Sequence, residues 1–221
     1  MARRSASELR RPAPRLYLVT PPEDAATLGR DLDQAIAAAD VAAVLLRLPP
    51  AGERALIDHV RAIAPMVQGK GAALILEGHP GIVARTGADG AHLVGIEAFT
   101  AAVGGLKPHR IAGAGGLRTR HDAMLAGERG ANYVMFGEAN GGEAAGPRPP
   151  FDAILAGIAW WAELFEPPCV GCAESLDEVA ALAIAGADFV ALGAFAFSDS
   201  RGPSAMIQAA AEMLTAAEPV K

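Results

Sequence analysis

Aromatic side chains make up only 5% of this 221-residue chain. A core so poor in rings must be built from Ala, Val, Leu and Ile, which suits close packing of helices on a sheet. Cysteine is nearly absent. Cys169 and Cys172 are the only two, so a disulfide framework is excluded and zinc would lack two ligands, with no second Cys pair to supply them. Either they form a redox pair or they sit in a strand, where positions three apart point to opposite faces and the thiols diverge. No apolar run approaches the ~18 residues needed to span a bilayer, so no membrane partner is expected. Excess positive charge is missing as well. The formal net charge of −6 speaks against a sequence-independent nucleic-acid binder. The opening stretch, MARRSASELRRPAPR, is Arg-rich but has no apolar segment behind it, so it is not a secretory signal. Residues 1–14 are expected to form a flexible basic arm before a single domain over 15–221. With so few cysteines and no signal, a reducing, cytoplasmic setting is expected.

Short apolar runs, in contrast, are plentiful. Eight stand out: RLYLVT (15–20), AAVLLRL (42–48), AALILE (72–77), GAHLVG (90–95), RIAGAGG (110–116), NYVMFGE (132–138), PCVGCA (168–173) and FVALGAF (189–195). Most are continuous rather than alternating, the pattern of strands buried on both faces in a parallel sheet. Helical spacing of apolar residues marks 24–39, 52–67, 119–129, 151–164, 175–185 and 203–217, with shorter turns over 79–86 and 97–105. One figure recurs: a helix-like run, then Gly-Ala-Asp or Gly-Ala-Asn, then a buried strand. HDAMLAGERGANYVMFGE, GIVARTGADGAHLVG and EVAALAIAGADFVALGA carry it, and AIAAADVAAVLLRL is a fainter copy. Asp40, Asp89, Asn132 and Asp188 mark the copies, and each interval holds two β/α units. Eight strands and eight helices close as an α/β fold of the (β/α)8 TIM barrel kind. An open doubly wound sheet is the competing architecture, without a GxGxxG to open its first βα turn. In the figure, Gly ends the helix in a left-handed cap and Asp or Asn bonds back to turn amides, so it belongs to the N-terminal, stability face.

Chemistry in such a barrel belongs at the C-terminal strand ends. Thr20 ends the first strand and Arg47 lies in the second. Glu77 and His79 follow the third. The fourth carries His92 and leads to Glu97. Gly115 closes the fifth, and Glu138 and Asn140 the sixth. Gly171 and Cys172 end the seventh, Gly193 and Ala194 the eighth. Small residues after the last two strands suit either a phosphate held by backbone N–H groups or plain tight turns. Glu77 and Glu97 either hold Mg²⁺ beside a diphosphate or are solvated loop acids. His92, inside an apolar run, reads as a hydrogen-bonded core histidine, His121 as a helix-start residue, and His79 as a turn residue before Pro80. A buried guanidinium at Arg47 needs an anion, either a ligand or a neighbouring Glu. GGEAAGPRPP (141–150) reads as a loop at the barrel mouth, a lid or an ordinary surface loop. Of Trp160 and Trp161, packing accounts for one, and the other marks a possible homodimer contact.

The ensemble of YLVT (17–20), AVLLR (43–47), GADGAHLVG (87–95), GANYVMFGE (130–138) and GADFVALGA (186–194) resembles the thiamine-phosphate synthase and TenI superfamily, from about Leu16 to Leu214. The resemblance implies a (β/α)8 barrel. It also implies an enzyme of thiamine biosynthesis that joins an aminopyrimidine diphosphate to a thiazole phosphate with Mg²⁺, releasing pyrophosphate. Carried over, Arg47 alone survives of the family's Gln-x-Arg-x-Lys, which here reads Leu45 to Pro49. Glu77 stands for a metal-binding Asp, and Glu97 falls near the second. The Ser and His after strand five become Gly115 and Leu117. Gly171, Cys172 and Ala173 replace Gly-Gly-Ile, and the Thr-x-Thr-Lys that grips pyrophosphate has no counterpart in 139–146. The thiazole-tautomerising His of the TenI branch is absent too. Two expectations follow. The first is a synthase with Arg47 on the diphosphate, Glu77 and Glu97 on Mg²⁺, and phosphate at Gly171, Cys172, Gly193 and Ala194, with Thr20, His79, His92, Gly115 and Glu138 as pocket residues. The second is a non-catalytic, phosphate-ligand-binding paralogue.

Overall fold

A computed structural model describes residues 12–138 and 147–217. Eight parallel strands pair in sequence order and the last pairs with the first, closing a barrel and ruling out the open sheet. The strands are β1 (Arg15–Val19), β2 (Val41–Leu46), β3 (Ala73–Glu77), β4 (Gly90–Val94), β5 (Ile111–Gly115), β6 (Tyr133–Phe136), β7 (Cys169–Ala173) and β8 (Phe189–Leu192). Around them run α1 (Ala25–Ala38), α2 (Glu53–Gln68), α3 (Val83–Thr86), α4 (Ile96–Leu106), α5 (Arg120–Glu128), α6 (Phe151–Leu164), α7 (Leu176–Ile184), α8 (Phe195–Ser198) and α9 (Pro203–Ala216). No helix of the described residues is long and apolar enough to cross a membrane. The expected N-terminal arm lies, through residue 11, outside the described residues.

Local chemistry explains the helix boundaries. Asp24 caps α1, accepting the Ala26 and Thr27 amides at 3.0 Å each. Thr119 and Asp122 form a reciprocal capping box on α5. Pro203 occupies the first turn of α9, where its missing N–H costs no intrahelical bond. Along α2, Leu56, Ile57, Val60, Ile63, Ala64 and Val67 recur at helical spacing and are buried. They belong to the outer core, between helices and sheet. A second core of alternate strand residues fills the barrel: Tyr17, Val19, Leu45, Ile75, Tyr133, Met135, Val170, Cys172 and Ala191 among them. Burial on both faces is why the strands read as unbroken apolar runs. Cys169 belongs to the outer core and Cys172 to the inner one, and no disulfide joins them, as the divergence of strand positions requires.

The repeated Gly-Ala-Asp or Gly-Ala-Asn figure lies at the foot of the barrel, and its Asp and Asn side chains do more than brace their own turns. The glycine part holds: Gly87, Gly130 and Gly186 have φ of 80°, 90° and 101°, where a Cβ would be strained. The acceptors, however, reach the preceding strand. Asp89 accepts the Leu74 amide at 2.7 Å and its own amide donates to the Leu74 carbonyl at 2.8 Å. Asn132 makes the same pair with Ala112 at 3.0 and 2.8 Å, and Asp188 with Cys169 at 2.8 and 3.0 Å. Asp40 does the job through a side chain, pairing with Arg15 at 2.7 Å. Each copy therefore staples an odd strand to the even strand after it.

Two strand ends differ from the reading of the sequence. The eighth strand stops at Leu192, because the chain turns at Gly193 and Ala194 into the short helix α8. Gly171 is not a turn residue. It lies mid-β7, and a Cβ there would meet Ile158 and Leu182 at 2.8 and 2.9 Å, so it allows α6 and α7 to pack close. Trp161 is fully buried and donates to the Pro167 carbonyl at 2.7 Å, while Arg120 stacks over Trp160 at 4.9 Å.

Candidate active site at the barrel mouth

A chain of hydrogen bonds runs up the inside of the barrel. Tyr17 and Tyr133 meet hydroxyl to hydroxyl at 2.8 Å, the Tyr133 hydroxyl meets His92 Nδ1 at 2.9 Å, and His92 Nε2 meets Glu138 Oε1 at 2.8 Å. The Gly116 amide donates to Glu138 Oε2 at 2.6 Å. Every proton finds an acceptor when Tyr17 donates to Tyr133, Tyr133 to Nδ1, and Nε2–H to Glu138. His92 is fully buried, and the Glu138 side chain is 3% exposed. Burial alone would push the Glu138 carboxyl up. The pairing with His92, the Gly116 amide and Arg47 outweigh it and hold the carboxyl below its ordinary value, hence ionised at neutral pH. The two tyrosines are driven the other way, chiefly by burial, and stay protonated. His92 is thus the core histidine the sequence suggested. Gly115 does not open a pocket. A Cβ there would lie 1.8 Å from Glu138 Oε2 and 2.4 Å from His92 Nε2, so glycine makes room for their pairing. Gly113 does the same for the Tyr133 ring, which a Cβ would approach to 2.1 Å.

Arg47 finds its anion in Glu77, Nε to Oε2 at 2.9 Å, with both side chains about four-fifths buried. Thr20, fully buried, accepts the Arg47 amide at 3.1 Å and so locks β1 to the end of β2. The other Glu77 oxygen, Oε1, is buried without a hydrogen-bond partner among the described residues. Glu97 is exposed in the first turn of α4, where a carboxylate complements the helix dipole. His79 precedes the 3-10 turn of Pro80–Ile82, as a turn residue. His121 lies exposed in the first turn of α5.

Arg47, Glu138, Cys172, Gly193 and Ala194 converge on one cavity of about 300 Å³ at the C-terminal ends of β1, β2, β6, β7 and β8. Val19, Leu45, Met135, Ala191 and Phe195 give it apolar walls, and Glu174 lies at its edge. No Cβ contact crowds Gly193, and Ala194 stands at the N-terminus of α8. The Cys172 thiol is pushed well up by burial and by Glu138, so it is a packing residue and not a nucleophile. Arg148 escapes the sequence reading because it sits in a Pro-rich loop. Its guanidinium bonds the Gly137 carbonyl at 3.2 Å, the Cys172 carbonyl at 3.0 Å and Glu178 at 2.7 Å. It thereby ties the ends of β6 and β7 to α7. Residues 141–146 of the expected mouth loop, and Asn140 before it, lie outside the described residues.

Comparison with known proteins bears on the barrel as a whole. The TMP-TENI family, described as thiamine monophosphate synthase, matches residues 16–195. The chain is 38% identical over 201 residues to the thiamine-phosphate synthase of Rhodospirillum centenum, covering 87% of this chain and 94% of that one. It is 32% identical over 212 residues to the thiamine-phosphate synthase of Hyphomonas neptunium, covering 90% and 93%. Among solved structures, the thiamine phosphate pyrophosphorylase of Pyrococcus furiosus matches with a TM-score of 0.74 at 18% identity, over 92% of this chain and 96% of that one. The 3-hexulose-6-phosphate synthase of Salmonella typhimurium matches with a TM-score of 0.69 at 16% identity, over 92% and 100%. These structural likenesses speak for the barrel alone. The family match across nearly the whole barrel, and full-length relatives above 30% identity, carry the assignment: this chain belongs to the thiamine monophosphate synthase family.

Proposed function

We propose that the barrel mouth joins an aminopyrimidine diphosphate to a thiazole phosphate, forming thiamine phosphate and pyrophosphate. The observation that carries this is the shared cavity in which Arg47 faces the open Gly193–Ala194 turn. No Cβ contact crowds Gly193, so a phosphate can approach the backbone of the Gly193–Ala194 turn closely. Arg47, fixed by Thr20 and Glu77, offers a preset guanidinium to a diphosphate. In the reaction the thiazole nitrogen forms a bond to the pyrimidine methylene as the diphosphate leaves. The chain's part is to orient both substrates and offset the charge that develops on the leaving group.

The family implies a magnesium ion. Among the described residues no group of three or more His, Cys, Asp or Glu forms a metal cage. Mg²⁺ commonly needs only one or two carboxylates beside substrate phosphates, and the buried, unpartnered Glu77 Oε1 fits such a donor. Glu77, with Glu97 as the second carboxylate, would hold the ion, which supplies neutralising charge for the diphosphate.

A second reading, a ligand-binding paralogue without turnover, is favoured by the pairing of Arg47 with Glu77 and by Leu45 and Pro49 in place of family donors. Each lost donor to a developing anion is worth ~3 kcal/mol. Incubation of the purified protein with both phosphorylated substrates and Mg²⁺ separates the two readings. Thiamine phosphate above the protein-free rate supports the synthase. No product at high protein concentration, with thiazole phosphate still bound in a calorimetric titration, refutes the synthase and leaves the binder.

A further inference from the structure

We infer that Glu138 is a specificity-determining residue: it selects a heteroaromatic ring bearing an amino group for the cavity it shares with Arg47, Leu45 and Phe195. The inference deepens the proposed function, on which it rests, by assigning the ring of the aminopyrimidine substrate to a place and a partner. Three observations carry it. First, Glu138 is a buried, ionised carboxylate that lines the cavity. Its contacts, His92 Nε2 on one oxygen and the Gly116 amide on the other, use two of about four acceptor sites. The remaining capacity can be filled only by a donor, because an ionised carboxylate has no proton to give. Second, the walls beside it are apolar, with Val19, Leu45 and Met135 among them, which suits the face of a ring and not a hydrated chain. Third, the carboxylate is fixed. His92 is held from below by Tyr133 and Tyr17, and Gly115 removes the Cβ that would displace it. A preset buried acceptor discriminates between a ring with N–H and one without, since the latter covers the carboxylate and leaves its remaining acceptor sites unfilled. A phosphate could not take this place, because two anions would face each other, so the anionic end of the substrate is directed toward Arg47 and the Gly193–Ala194 turn.

Titration calorimetry of the intact protein with 4-amino-2-methylpyrimidine and with 2-methylpyrimidine tests this without any substitution. The amino ring should bind about tenfold tighter or better. In Glu138→Gln, which keeps the size and loses the charge, the preference should fall below about threefold, while affinity for thiazole phosphate stays within about twofold. Because the amide of that variant also disturbs the bond to Gly116, a second readout uses the unaltered protein. Bound aminopyrimidine should shift the ¹⁵N resonance of His92 Nε2, which lies one hydrogen bond behind the ligand. Equal binding of the two rings, a preference that survives Glu138→Gln, or an unmoved His92 resonance at saturation would each overturn the inference. None of these outcomes depends on turnover, so failure of the synthase assay and failure of this inference are separate results.

Discussion

Gly115→Ala adds a single methyl group in the most crowded part of the barrel. The new Cβ would stand 1.8 Å from Glu138 Oε2, 2.5 Å from Glu138 Cδ and 2.4 Å from His92 Nε2, where ordinary contact begins near 3.4 Å. The carboxylate must retreat by roughly 1.5 Å, which carries bonds now at 2.6 and 2.8 Å out of hydrogen-bond range. Hydrogen bonds to charged groups contribute about 1.5–3 kcal/mol each, and overpacking costs about 1–3 kcal/mol. Partial relaxation leaves an expected loss of about 4 kcal/mol, or a melting temperature lower by about 8–16 °C for a chain of this size. Differential scanning calorimetry of wild type and variant measures it directly. A double-mutant cycle with Glu138→Ala identifies the cause. With the carboxylate gone, the cost of Gly115→Ala should fall by more than about 1.5 kcal/mol, leaving the contact with His92. A loss under about 1 kcal/mol for the single variant, or additivity in the cycle, would refute this account of the glycine.

Acid should act through the same carboxylate. The folded-state pKa of Glu138 lies below its unfolded value of about 4.3, so its contribution is complete above that pH and is lost as pH falls through the folded value. Denaturation followed from pH 6 to pH 3 should therefore show a shallower acid loss in Glu138→Gln than in wild type. At the foot of the barrel, Asp188→Ala strands the Cys169 amide, and urea denaturation should report a loss of about 1–3 kcal/mol, with synthase activity unchanged where the barrel stays folded.

How much of this is legible in the sequence varies by residue. Helix α6 runs over the 151–164 expected of it, because helical periodicity and a boundary at Pro150 agree. The end of β8 is misplaced by the sequence reading because FVALGAF is apolar throughout, and such a run does not show where a buried strand becomes a short helix. Gly171 looks like a turn glycine, yet what it answers to is Ile158 and Leu182 on two helices that the sequence does not bring near it. The tyrosine relay is hidden for the same reason. Tyr17 and Tyr133 read as strand filler, and their meeting across 116 residues follows only once the barrel is closed and both face inward. The rule that chemistry gathers near C-terminal strand ends does single out Arg47, Glu77, His92 and Glu138 as candidates. It cannot show that they form two pairs. Arg148 carries no periodic signal at all, and the ends of β6 and β7 together with Glu178 explain it.

The four staples divide the circle into quarters. Asp40, Asp89, Asn132 and Asp188 each close one odd-even strand pair at the end opposite the cavity. Folding and substrate choice are thereby written on opposite ends of the same strands. Exchanging Leu45, Pro49 or Glu138 for other residues breaks no bond at the foot, so the mouth can change toward a new ligand, or toward none, on a barrel that the foot still closes.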